Sequence, residues 1–280
     1  MSGKDCPSHR FRHTFTATWT FRSPVQQARL QLRLRPRDAT QVLAHTCNVD
    51  PSPGRFDEAL DNFGNHLVLA EVSGVGSQLN VSAQSDFECL PIPEESIAAG
   101  IRPWEELLVV ADAGVHPPLE VGLADSKFAA FSRPSFRADR PWLEAVLELA
   151  CRLRHEMHYD TGVAADRRDA REIFESRRGT CQDRAQVMLA CLRSQGITAG
   201  FVQGCLLQPG PAGSDRSHAW VRVFEGGSRW RDIDPSTGER VEQAVPLAWG
   251  WDASNVAPVQ GEILGGGRQL LTVTQWVEPM

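Results

Sequence analysis

Three short stretches hold residues whose types and spacing could do chemistry. Arg177-Arg178-Gly179-Thr180-Cys181-Gln182-Asp183 puts a cysteine at the opening turn of a predicted helix. Thr180 is a suitable N-cap, and Asp183, three residues on, comes close to a capping box. Ser217-His218-Ala219-Trp220 adds a histidine at the head of an alternating strand, and Asp232-Ile233-Asp234-Pro235 adds carboxylates on the next one. A cysteine at the first helical position meets unpaired N–H groups and the positive end of the helix dipole, which favour the nucleophilic thiolate. Such a thiolate needs an imidazole as proton partner and a third group to fix the tautomer. Asp234, beside a turn, is the preferred third group; Asp232, on the same strand face, competes for the role. Cys191, in the same helix but far from its start, is assigned to packing. The order Cys181, His218, Asp234 therefore points to nucleophilic acyl chemistry.

Two kinds of element must position these residues. From Phe11 to Phe21 aromatic and polar residues alternate, with Phe11, His13, Phe15, Ala17, Trp19 and Phe21 on one face and Arg12 and four threonines on the other. A period of two predicts a half-buried strand. Leu30, Leu32 and Leu34 repeat the pattern before Pro36, Thr40 to Val49 reads as a third strand, and residues 66–72 and 79–83 read as two more. Gly74-Val75-Gly76 is a hairpin bend, since no helical pattern follows it as a phosphate loop would require. Short strands separated by turn signals predict an antiparallel β-sandwich-like domain. After Pro141 the period changes: Leu143, Val146, Leu147 and Ala150 share a helix face. A short helix around Ala170, Ile173 and Phe174 precedes Gly179, and the Cys181 helix runs on to Gly196. Strands are expected over 197–207, 217–224 and 230–234, so the second half is α+β, a helix on an antiparallel sheet. The expected division is a β-rich domain over residues 1–132 and a catalytic domain over 133–280, with the boundary at Ser132-Arg133-Pro134-Ser135.

Bulk properties narrow the options further. The chain has 280 residues, a formal net charge of −6 and no extended basic run, which argues against a nucleic-acid partner. Its start, Met1 to Cys6, lacks the apolar core of a secretion signal, and no apolar run approaches the roughly 20 residues of a membrane helix. A cytoplasmic protein without a membrane partner is expected. Seven scattered cysteines form no Cys-x-x-Cys pair, against both a zinc site and a disulfide framework. His155-Glu156-Met157-His158 spaces its histidines by three, not the four of a zinc-protease helix. No metal and no cofactor are expected.

Gly179 to Asp183, Ser217 to Val221 and Asp232-Ile233-Asp234-Pro235-Ser236-Thr237-Gly238 together resemble the bacterial transglutaminase-like, papain-related superfamily of cysteine proteases and acyltransferases. The opening strands, with Leu30-Gln31-Leu32-Arg33-Leu34-Arg35-Pro36-Arg37, resemble the β-rich N-terminal region that precedes this catalytic domain in bacterial members. Trp249-Gly250-Trp251-Asp252, Asn255 to Gly261 and Gly265-Gly266-Gly267 resemble the family's C-terminal segment. The resemblance implies a papain-like catalytic domain in which Cys181 is the nucleophile, His218 the general base and then acid, and Asp234 its orienting group. It implies attack on a peptide, protein or small-molecule amide, a thioester, and release to water or to an amine acceptor. The oxyanion would lie near the Cys181 N–H, with Gln182 and Tyr159 as further contributors and Trp220 and Asp232 as substrate-side neighbours. Arg184 stands where the family commonly has an aromatic, and Gln186 where it commonly has a histidine. Arg184 reads either as an anion selector or as an exposed helix arginine. Two other functions stay open: an amide-bond-forming acyltransferase with a carrier-bound thioester donor, and a non-catalytic binding module that keeps the fold. No clustered acidic loop supports calcium, and the sequence does not give the oligomeric state.

Overall fold

The computed structural model describes residues 10–38, 40–90, 101–110, 126–161, 168–207, 217–227 and 229–280. Strands β1 (Arg10–Phe21), β2 (Val25–Leu32), β3 (Thr40–Asp50), β4 (Arg55–Leu60), β5 (His66–Val75) and β6 (Gln78–Cys89) come first. They form two antiparallel sheets whose apolar faces meet in one core, from Phe15, Trp19 and Phe21 on β1 to Leu30, Leu32, Val68 and Val72 opposite. Alternation produces this core: Phe15, Ala17, Trp19 and Phe21 are buried while the threonines between them stay at the surface. The bend at Gly74 to Gly76 is no hairpin, because it carries the chain from β5 in one sheet to β6 in the other.

The second half carries α1 (Glu106–Val110), α2 (Ser126–Ser132), α3 (Trp142–Glu156), β7 (His158–Tyr159), α4 (Ala170–Ser176), β8 (Arg178–Gly179) and α5 (Cys181–Ser194). Strands β9 (Ala199–Leu206), β10 (Ser217–Gly226), β11 (Arg229–Asp234), β12 (Glu239–Arg240) and β13 (Ala244–Gly250) follow. The five make one antiparallel sheet in the order β12-β11-β10-β9-β13. Helix α5 packs on β10 and β9, with α2, α3 and α4 around it. Ala185, Met188, Leu189 and Leu192 share its core with Phe201, Val221 and Ile233 of the sheet. Among the described residues no helix is long and apolar enough to cross a membrane.

Two features depart from the expected division of the chain. Strands β14 (Val259–Gly265) and β15 (Gln269–Pro279) leave the second half and join the sandwich, β14 pairing with β2 and β15 with β1. The C-terminal tail thus completes both sandwich sheets, in the orders β15-β1-β6-β3 and β14-β2-β5-β4. The stretch Ser132-Arg133-Pro134-Ser135 is no open linker, because Ser132 and Ser135 are fully buried and Gln195 Nε2 donates to Ser132 Oγ at 2.8 Å. Half of residues 91–140 lie outside the described residues.

Candidate active site

Cys181 is the first residue of α5 and is 9% exposed. The helix start is tied by Asp183, whose Oδ2 accepts from the Thr180 N–H at 2.8 Å and from the Thr180 hydroxyl at 3.2 Å. Arg168 holds the same oxygen through Nη2 at 2.9 Å. Gly179 lets this cap close: a Cβ there would lie 2.5 Å from Asp183 Cβ and Oδ2. Strands β7 and β8 form a short parallel ladder with Tyr159 opposite Gly179. The ladder brings the single tyrosine of the chain to the nucleophile end of the helix. The Tyr159 hydroxyl hydrogen-bonds Cys181, and burial together with the charge at Cys181 raises the phenol's pKa.

His218 arrives on β10 and Asp234 at the end of β11. The two strands are antiparallel neighbours, and His218 Nε2 donates to Asp234 Oδ2 at 2.8 Å. This leaves Nδ1 for Cys181, with which the imidazole also hydrogen-bonds. Burial alone would lower the imidazole pKa. The hydrogen bonds and charges of Asp234 and Cys181 outweigh it and raise the value to about 9. For Asp234, burial pushes upward, but the His218 contact holds the carboxyl below its ordinary range, helped by the Ser236 N–H at 2.7 Å. Hydrogen bonds to the charged form and a nearby opposite charge win over desolvation in both partners. The arrangement is an acid–base couple aimed at a sulfur.

A family model of the transglutaminase-like superfamily matches residues 129–235, and one of the bacterial transglutaminase-like N-terminal region matches residues 11–88. Residues 129–235 belong to the transglutaminase-like superfamily. An uncharacterized protein of Mycobacterium tuberculosis is 28% identical over 280 residues, covering 91% of this chain and 88% of that one. An uncharacterized protein of Mycobacterium leprae is 27% identical over 277 residues, covering 94% and 96%. The crystal structure of a candidate cysteine protease from Cytophaga hutchinsonii shares the fold, with a TM-score of 0.72 at 16% identity over 98% of this chain and 91% of that one.

The remaining residues singled out in this transglutaminase-like chain fall in different places. Gln182 is exposed beside Cys181 and leans toward β9, its Nε2 donating to Gln203 Oε1 at 3.4 Å. Trp220 is not at a substrate-side surface but fully buried, its ring nearly parallel to that of His218 with centroids 6.2 Å apart. Asp232 is committed elsewhere: Arg222 holds both its oxygens, at 2.8 and 3.0 Å. Arg184 is neither an exposed helix arginine nor a free anion hook. It is 5% exposed, donates to the carbonyls of Met157 (2.5 Å) and Ser236 (3.3 Å), and sits 5.3 Å from the Tyr159 ring centroid. It therefore ties the Tyr159 segment to the turn after Asp234.

Arg168 and Gly204 went unread in the sequence. Gly204 faces His218 across the β9–β10 ladder. A Cβ on it would collide with the Val245 carbonyl and stand 2.5 Å from Trp220 Cη2, so glycine lets the indole pack behind the imidazole. A lone glycine inside a strand pattern is the signal that marks such a close approach. Arg168 gives no comparable signal, because its partner Asp183 is fixed only by the tertiary fold.

Proposed function

We propose that the chain is a thiol-dependent enzyme that hydrolyses or transfers the acyl group of a carboxamide or peptide through a Cys181 thioester. The observation that carries this is the His218–Asp234 hydrogen bond, with Cys181 close enough to the imidazole to help raise its pKa. With the proton already resting on His218, the Cys181 sulfur attacks the carbonyl carbon. The C–S bond forms as the carbonyl π pair moves onto oxygen. Around that oxyanion stand the Cys181 backbone N–H, free of an intrahelical partner at the first helical position, and the Tyr159 hydroxyl. Collapse expels the amine, which takes the proton from His218. Water or a second amine then attacks the thioester carbon and gives its proton to His218; the tetrahedral intermediate collapses, the C–S bond breaks, and the acyl product leaves the sulfur beside the imidazolium as it began. Asp234 holds the ring through Nε2 and balances the imidazolium throughout.

The test is intact-mass spectrometry of the protein quenched in acid after exposure to glutaminyl peptides and activated esters. An acyl adduct mapping to Cys181 is expected, and its absence with every donor overturns the assignment. The pH profile checks the electrostatics. The imidazolium persists until about pH 9, so kcat/KM is expected to fall on the basic side near that pH. Asp234→Asn removes the main partner of the imidazolium and shifts this fall to lower pH. The sign for stability is consistent: the folded value lies above the unfolded 6.5, so the contribution is full below about pH 6.5 and is lost as pH rises through about 9. Tyr159→Phe keeps the ring and removes one donor; kcat falls about 10²-fold with KM little changed. A change in KM alone would make Tyr159 a binding residue only.

A further inference from the structure

We propose that the substrate is an acidic peptide, with Asp or Glu side chains flanking its reacting amide, held by a basic cleft that opens beside Cys181. This rests on the Cys181 chemistry above. The cleft has a volume of about 560 Å³, and its walls include Arg154, Arg177, Arg178, Arg184, Glu156 and Tyr159. Tyr159 links it to the site, since the hydroxyl that meets the Cys181 sulfur belongs to a ring lining the cleft.

Charge bookkeeping at the cleft favours an anionic occupant. Glu156 offsets Arg177 at 3.3 Å, and Asp160, outside the lining, offsets Arg178 at 3.0 Å. Arg184 spends its donors on two carbonyls, which orient it but do not neutralise it. Arg154, exposed at the end of α3, makes no ion pair among the described residues. Burial is the main cause that lowers the Arg184 pKa, Tyr159 and Asp234 oppose it, and the Arg154 charge adds to the lowering. Among the described residues four guanidiniums thus meet three carboxylates, counting the Asp234 charge that acts on Arg184, an excess of one positive charge on a chain whose net charge is −6. Like charges gathered in a concavity cost the empty protein stability and favour a ligand of opposite sign. Guanidinium forks match carboxylates in both charge and geometry. Arg184 builds the wall, which leaves Arg154 to reach the ligand, with Arg178, shared with Asp160, beside it.

The experiment compares alkylation of Cys181 by anionic iodoacetate and neutral iodoacetamide at about 10 mM ionic strength, where the Debye length is about 30 Å. The iodoacetate-to-iodoacetamide rate ratio, referred to that of glutathione, is expected to be raised about tenfold and to fall several-fold in Arg154→Gln/Arg178→Gln. An unraised ratio, or one unchanged in that variant, overturns the proposal while leaving the nucleophile in place. If neither reagent modifies Cys181, the thioester reading itself fails. The cleft is then judged by fluorescence anisotropy with labelled hexaglutamate on Cys181→Ala protein. Binding that the double arginine variant loses supports an acidic ligand; no binding, or equal binding of hexalysine, rules it out.

Discussion

Cys181→Ala and His218→Ala are each expected to lower turnover about 10⁴- to 10⁶-fold, and the double variant to be no worse than either alone. The non-additivity follows from the geometry. The imidazole has one ring nitrogen on Asp234 and the other facing the sulfur, so each residue is useful only through the other. Cys181→Ala removes a single sulfur at a helix start and should leave the melting temperature nearly unchanged, because the Thr180–Asp183 cap and Arg168 do not involve it. His218→Ala leaves Asp234 buried without its counter-ion and should also destabilise the fold. Stopped assays with an activated ester, alongside thermal melts, separate the two effects. Turnover that survives both single substitutions would remove these residues from the chemistry.

Arg222→Met is expected to destabilise the protein by about 3–5 kcal/mol, a buried-pair loss that leaves Asp232 without its partner and Asp38 with Arg37 alone. Arg222 is 7% exposed and grips Asp232 with two nitrogens and Asp38 with a third at 2.6 Å. Asp38 follows β2 of the sandwich, whereas Asp232 and Arg222 lie on the catalytic sheet, so one guanidinium joins the two halves. Burial opposes ionisation of Asp38, but Arg222 and Arg37 keep its pKa below the usual range. That contribution is present above about pH 4 and fades as the pH falls through the folded value. The gap between wild type and Arg222→Met should narrow in acid. Denaturant melts at neutral and acid pH measure both, and a change under about 1 kcal/mol at neutral pH would show the hub to be unimportant.

The behaviour of these two aspartates shows how far the sequence could be read. Asp232 and Asp234 share a strand face, and position beside a turn favoured Asp234; the register then decided the matter. Asp232 is directly opposite Arg222 on β10, and a guanidinium that near takes the carboxylate. Arg184 could be read only as a surface residue or an anion hook, because a helix pattern does not show which segment will cover that face. Tyr159 came to the sulfur through a two-residue parallel ladder, too short to leave a periodic signal. Strand β4 has no buried residue and β15 buries only Gln275, so neither contributes the apolar face to the core that marks the other sandwich strands.

By itself the sequence determined whatever depends on neighbours within a few residues. Period two made the strands of the sandwich, the spacing of three to four made α3 and α5, and Thr180 with Asp183 set where α5 begins and hence where Cys181 stands. Tertiary structure alone decided what depends on partners far along the chain. It settled which carboxylate faces His218, that a C-terminal tail returns to close the N-terminal sandwich, and that four arginines converge on one cleft. Local order follows from short-range sterics and hydrogen bonds, whereas pairing at long separation is chosen only when the whole core is buried at once.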